Sequence, residues 1–261
     1  DFEWENKSLA HSAYTRSDSY FTNSFYAGKG LPQGRELEIL NEYKDKIPPE
    51  VFTTEYKNPK TDGTGNARDN LRKAMQILDD AGWKVGTDGI REKDGVKLDF
   101  EIIENQAEFE RWVLPYIKNL KRIGINATFR VVDVSQLVGR LNDFDFDMTI
   151  SAFGQSLSPG NEQRDFWGSK KADEPGSRNL IGIKNPAIDD LCEKIATAKT
   201  QEELTAYVKA LDRVLLWNFY VVPQWYTPVW KVAYWDKFDR PTNVAPYGLG
   251  YMDTWWLKPV K

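Results

Sequence analysis

The clearest regularity in the chain is a succession of apolar periods between Asn66 and Phe153. Leu71, Ala74, Met75, Leu78 and Ala81 recur at helical spacing and Gly82 follows as a stop, which predicts one amphipathic helix. Trp83 to Val96 carries two Asp-Gly pairs, Asp88-Gly89 and Asp94-Gly95, and predicts small hairpins. Leu98, Phe100 and Ile102 then alternate with Asp99 and Glu101 as a strand with one half-buried face. Phe109, Trp112, Val113, Tyr116, Ile117, Leu120 and Ile123 form a helical stripe, which Pro115 is expected to kink or to start. Ile125, Ala127, Phe129 and Val131 alternate again, Val134 to Leu141 reads as a short helix, and Asp147 to Phe153 as a third strand. Strand, helix, strand, helix, strand at these spacings predicts an α/β fold: a mixed, largely parallel sheet flanked by helices.

The flanks are less regular. Asp1 to Tyr26 is helical only in part, and Gly28 to Gly65 is broken into loops around one short helix near Glu36 to Lys44. Two firmer helices follow the sheet. One covers Ala187 to Ala198, and the other runs from Gln201 to Trp217 behind Thr200 and Glu203, a reciprocal pair that satisfies free amides at a helix start. Beyond Phe219 the chain is aromatic and β-rich, cut into short segments at Pro241, Pro246 and Gly248 to Gly250.

Composition narrows the function. The 261 residues are 41% hydrophobic and 28% charged, a globular balance. The richest apolar stretch, Val214 to Trp230, is broken by Asn218, Pro223, Gln224 and Pro228, so a soluble chain is expected. A net charge of −4 with both signs scattered offers no basic stripe, and nucleic acid is not an expected partner. One cysteine, Cys192, and one histidine, His11, allow neither an internal disulfide nor the usual zinc sites. Ten tryptophans, many between Trp217 and Trp256, suit a cleft or an interface as well as a core. Asp1-Phe2-Glu3-Trp4 holds no initiator Met and no signal peptide, so a mature or truncated chain is expected.

Catalytic motifs do not emerge. His11 has no distinctive serine motif to serve, and Gly28-Lys29-Gly30 lacks the remainder of a nucleotide fingerprint, so neither a triad nor a cofactor is expected. The acidic groups Asp79-Asp80, Asp143/Asp145/Asp147 and Asp189-Asp190 read as solvated faces rather than metal or acid–base sites. Architecture favours one place. Ligands of open parallel sheets lie beyond the carboxyl ends of the strands, and there the third strand runs into Gly154-Gln155-Ser156-Leu157-Ser158-Pro159-Gly160-Asn161-Glu162. The backbone of that loop from Gly154 onward, with Gln155, Ser156, Ser158 and Asn161, is suited to a polar ligand, with Phe153 as an apolar wall. An ordinary connecting loop is the competing reading.

Several of these segments also match a known pattern. Ala74-x-x-Ile77-Leu78-x-x-Ala81-Gly82-Trp83, Asp88-Gly89-Ile90-Arg91 and Gly95-x-x-Leu98-x-Phe100 resemble the extracellular solute-binding proteins of dipeptide and oligopeptide ABC transporters. So do Leu120-x-x-Ile123-Gly124-Ile125, Phe146-Asp147-Met148, Asn185-Pro186-x-x-Asp189-x-Leu191 and Val222-Pro223-Gln224-Trp225-Tyr226. Tyr14-x-Arg16-x-x-Ser19-Tyr20-Phe21, Gly30-Leu31-Pro32-x-Gly34-x-Glu36 and Trp255-Trp256 extend the resemblance to the Yej-type branch.

The resemblance implies the C-terminal portion of a two-lobed periplasmic receptor. Residues 1–230 would form its second lobe and 231–261 a return segment belonging to a first lobe that is absent here. Its implied partners are a peptide or peptide-like ligand and the permease of an ABC importer, with no cofactor, no metal and no enzymatic activity. A receptor of the same fold for an opine, oligosaccharide or peptide conjugate is the alternative, and a glycoside hydrolase a remote one. Relatives place a tryptophan and then an aspartate in the loop after the third strand, the aspartate pairing with the ligand amine. Here Phe153 and Ser156 stand at those positions, so Glu162 or Asp165 must substitute or the ligand is not a free-amine peptide. By the same resemblance Arg178 and Asn179 would face the cleft, Arg178 against a carboxylate, and Trp225, Tyr226 and Trp230 would lie where the chain crosses between lobes.

Overall fold

The computed structural model describes residues 1–243 and 248–259. Asp1 caps α1 (Phe2–Leu9) by accepting the Trp4 amide at 3.1 Å, and β1 (Thr15–Arg16), α2 (Gly34–Asn41) and α3 (Glu50–Thr53) follow among long loops. The expected amphipathic helix is α4 (Arg68–Asp80). Gly82, at φ +85°, ends it in a Schellman turn: its amide reaches the Asp79 carbonyl and the Trp83 amide the Leu78 carbonyl, both at 2.9 Å.

The two Asp-Gly turns then join β2 (Lys84–Val85), β3 (Arg91–Lys93) and β4 (Val96–Lys97) into an antiparallel ribbon. Asp94 and Gly95 both take positive φ, the geometry of a two-residue hairpin turn.

Next come β5 (Asp99–Glu104), α5 (Glu110–Arg122), β6 (Asn126–Val131), α6 (Val134–Asn142) and β7 (Met148–Thr149). They build a parallel three-stranded sheet in the order β6-β5-β7, so β5 is central and β7 an edge. The expected α/β class therefore holds. Pro115 lies inside α5 and does not mark its start, which is at Glu110 behind a 3-10 turn.

The third strand is shorter than the alternation of 147–153 suggests, and the register supplies the reason. Ile103 pairs with Thr149, which puts Ser151 opposite Asn105, beyond the end of β5. At the other end the Asp147 carboxylate, not its backbone, takes the Glu101 amide at 2.9 Å. Phe153 thus belongs to the loop after the strand.

A small core joins Leu71, Ala74, Met75 and Leu78 of α4 to Leu120, Ile123, Ile125 and Ala127. Arg91, 3% exposed, closes it: the guanidinium donates to the Ile123 carbonyl at 2.7 Å, to the Trp83 carbonyl at 2.6 Å and to Asp79 at 2.5 Å. Asp79 is therefore not simply a solvated acid, as its helix face suggests. A Cβ at Gly124 would meet the Arg91 side chain at 2.9 Å, and its φ of +83° also demands glycine.

The larger core is helical. α7 (Glu162–Trp167), α8 (Pro186–Thr197) and α9 (Gln201–Trp217) pack with α2, α3, Phe21 and Tyr26. Asn185 caps α8 at the Ala187 amide and Thr200 caps α9 at the Glu203 amide, but the Glu203 carboxylate takes the Lys199 amide rather than that of Thr200. Leu211, Val214 and Leu215 of α9 are fully buried, and between them sit two charges, Asp212 and Arg213.

β8 (Trp225–Tyr226) returns antiparallel to β1, and β9 (Phe238–Asp239), α10 (Tyr251–Thr254) and β10 (Trp256–Leu257) close the chain with a β9–β10 pair. Pro246, one of the expected breaks, and the last two residues of the expected return segment lie outside the described residues. Among the described residues no helix is long and apolar enough to cross a membrane.

Candidate functional site

Beyond β7 the chain runs without regular structure to Gly160 and then enters α7. Phe153, half-buried, is the outer member of an aromatic cluster. Its ring lies 4.7 Å from that of Trp167, meets Phe166 edge to face at 5.6 Å, and is 6.4 Å from Tyr20, itself edge-on to Trp167 at 5.2 Å. Trp167 is wholly buried, so the cluster is rooted in the helical core while Phe153 faces outward.

The loop is pinned at two points. Tyr26, buried in the core, donates its hydroxyl to the Leu157 carbonyl at 3.0 Å, and Pro159 is buried. Gly154, Ser156 and Ser158 around these points are exposed, with Ser156 accepting the Ser158 amide at 3.1 Å.

Side chains under the loop form a chain of hydrogen bonds. The Trp167 indole N–H donates to Gln163 Oε1 at 2.9 Å, and Gln163 Nε2 donates to Gln155 Oε1 at 2.6 Å. Gln163 is wholly buried, and Cys192 donates its thiol to the Gln163 carbonyl at 3.4 Å. Burial pushes the Cys192 thiol far above its ordinary range, which keeps it protonated.

Glu162, the first residue of α7 and not a loop residue, turns Oε1 inward to accept the Gly160 amide at 2.9 Å and Gln163 Nε2 at 3.2 Å. Asp165 is exposed and makes no hydrogen bond or ion pair with its side chain among the described residues. Asn161 is exposed, and its side-chain oxygen accepts from Arg164.

The remaining expected site residues divide. Arg178 is exposed and lays its guanidinium 3.9 Å above the Phe166 ring, which places it beside the Phe153 cluster. Asn179 is an interior residue, contrary to its expected place on an open face. It is 0% exposed, donates to the Gly168 and Ile183 carbonyls and accepts the Ile183 amide, all at 3.0 Å.

Trp225 and Tyr226 belong to a different cluster. Trp225 stacks on Tyr14 at 5.4 Å and packs on Trp112 at 4.6 Å, while β8 pairs with β1, so this is a joint where three distant segments meet. Trp230 is 70% exposed and lines a cavity of about 340 Å³ with residues 248–253.

The loop from Ser19 to Gly30 is held against α9 by the buried charges, which the sequence reading did not single out. Asp212 accepts the Ser19 hydroxyl and the Tyr20 amide at 2.8 Å and the Gly28 amide at 3.0 Å. Arg213 donates to the Gly30 and Lys29 carbonyls at 2.7 and 2.9 Å and pairs with Glu36. Burial pushes the Asp212 carboxyl up to about 7 against the pull of those donors and of Arg213. Tyr20 is thereby fixed at the aromatic cluster. Among the described residues no group of three His, Cys, Asp or Glu side chains could hold a metal ion.

Comparison with known proteins decides the family. The profile of "Bacterial extracellular solute-binding proteins, family 5 Middle" matches residues 1–174, two thirds of the chain. The chain belongs to this family. The chain is also similar to curated proteins: the "Probable peptide-binding protein YejA" of Agrobacterium fabrum is 50% identical over 257 residues, 98% of this chain and 42% of that protein. YejA of Escherichia coli K12, described as uncharacterized, is 39% identical over 258 residues, again 98% of this chain and 42% of that protein. The family-5 chain thus spans less than half the length of these curated relatives. Its fold matches that of the oligopeptide-binding protein AppA from Bacillus subtilis, solved with a nonapeptide, at a TM-score of 0.67 and 20% identity over 99% of this chain and 45% of AppA. The Yej-type resemblance read from the motifs is borne out.

Proposed function

We propose that this family-5 chain is the second, ligand-facing lobe of a periplasmic receptor that captures peptides or peptide-like solutes and delivers them to the permease of an ABC importer, without catalysing a reaction. One observation carries the reading: a largely exposed loop, 154–158, follows a half-buried aromatic ring just beyond the carboxyl end of an edge strand. β7 has one free edge, and the chain beyond it is unpaired, so main-chain groups are available to a peptide backbone while Phe153 supplies apolar contact. The relative named a probable peptide-binding protein supports the same ligand class.

Residues 1–230 make up this lobe, and 231–261 return to a first lobe. Trp230, Trp235, Tyr251, Met252 and Leu257 are all exposed, an apolar surface of the kind that is covered in a complete protein. The Trp225 cluster stands at the crossing, where it stiffens the joint between the lobes.

The test is thermal unfolding of the full-length protein with pools of short peptides, oligosaccharides and opines. A ligand that binds only the folded state, present at about a hundredfold its Kd, adds about 2.7 kcal/mol, so peptides raise the unfolding temperature. Phe153→Ala lowers the ligand-free transition through lost ring contacts, and the rise that peptides produce above that variant's own ligand-free value is smaller. A rise with sugars or opines alone transfers the site to those ligands, and no rise with any pool contradicts the proposal.

A further inference from the structure

We infer that the Phe153 platform is built to receive a carboxylate of the ligand rather than its ammonium end; the inference rests on the ligand site proposed above and specifies what that site selects. The argument begins at a group whose polarity is unambiguous. An indole N–H can only donate, so the bond from Trp167 fixes Gln163 with its oxygen toward the indole and its amide nitrogen toward Gln155. Gln155 must then offer its oxygen to Gln163, and its own Nε2 is the end of the relay. That nitrogen is out of contact with solvent and has no partner among the described residues. The orphan is therefore a donor, and rotating the amide would only set two donors face to face.

Other unused groups around the platform accommodate the same polarity. The Tyr20 hydroxyl, in the same aromatic cluster, is likewise buried without a partner among the described residues and can donate to a carboxylate, although as a hydroxyl it can also accept. Arg178 lies over Phe166, the ring that meets Phe153 edge to face, and no carboxylate comes within ion-pair distance of it among the described residues. A guanidinium held flat on a ring keeps its N–H edge free for a planar two-oxygen acceptor.

Acceptors are mostly spent or turned away. Glu162 Oε1 serves Gly160 and Gln163, leaving Oε2 as its one unused oxygen among the described residues, and Ser156 Oγ serves Ser158. Asp165 lies across α7 from Gln163 and Trp167 at helical spacing, on the exposed side. An ammonium group would find at Phe153 only the one unused oxygen of Glu162, whose carboxylate is already held by two donors, whereas a carboxylate would find the Arg178 guanidinium and the Gln155 amide without acceptors among the described residues. Gln163 and Trp167 act as positioning residues for the Gln155 amide.

Isothermal titration of the full-length protein with one tetrapeptide in three forms tests this: free, C-terminally amidated and N-acetylated. Amidation is expected to weaken binding about tenfold or more, as losing a charge-assisted contact does, and acetylation to change it little. Arg178→Gln, at an exposed position that leaves the unfolding temperature unchanged, should bring the free acid down to the level of the amide. It should leave the amidated form unaffected. Equal binding of free and amidated forms, or a loss on acetylation alone, overturns the inference and leaves the ligand site standing. Binding of none of the three forms removes the peptide site itself and the inference with it.

Discussion

Asp212→Ala lowers the stability of the full-length protein by about 3 kcal/mol, read as a lower midpoint in urea unfolding. The side chain is 0% exposed and is, among the described residues, the one acceptor of the Tyr20 and Gly28 amides; removing it orphans both, together with the Ser19 hydroxyl.

The pH dependence has a definite sign. The folded carboxyl, near 7, lies above its ordinary value of 3.8, so the folded state holds the proton more tightly than the unfolded chain. The contribution of this group is therefore full below about pH 4 and is lost as pH rises through about 7. Asp212→Asn, which cannot ionise, should narrow its deficit against the parent protein across that window. A deficit that widens instead would show that the three donors hold the carboxylate charged.

Trp167→Ala has the second large effect, a loss of about 3–5 kcal/mol for a wholly buried indole. Its consequence for binding separates it from other core deletions. The ring touches Phe153, Phe166 and Tyr20, and its N–H orients Gln163, so the platform loses both its floor and the direction of its hydrogen bonds. Trp167→Phe preserves most of the floor and removes only the donor. The expected outcome by calorimetry is a folded Phe variant with weaker ligand binding, and an Ala variant impaired in both respects.

The elements legible in the sequence are those long enough to express a period. α4, α5, α8 and α9 each repeat their apolar positions through three or more turns, β6 alternates over six residues, and the chain into β5 alternates from Leu98 to Ile102. α7 has six residues, too few to separate a helix from a loop, so Glu162 reads as loop although it opens a helix. β7 is cut short by the length of its neighbour β5, which local alternation does not encode.

The candidate site was legible at its apolar anchor and its exposed loop, because both follow from where a parallel strand ends. Gln163, Trp167 and Tyr20 were not, since they meet the loop through contacts that join distant segments. Arg178 and Asn179 are adjacent in sequence, yet one rests exposed on Phe166 and the other is sealed inside by three hydrogen bonds. The Asp212-Arg213 pair gave no usable signal: at helical spacing both fall off the stripe of Leu204, Tyr207, Val208, Leu211, Val214 and Leu215, on a side that reads as solvated, and they are buried because α9 is enclosed on that side as well.

Hydrogen–deuterium exchange of the full-length protein, with and without a pool of tri- and tetrapeptides, tests most directly whether 153–161 is where the ligand is held. Slower exchange in that segment on adding peptide is the predicted result. Protection that leaves 153–161 unchanged while appearing elsewhere in the protein would contradict it.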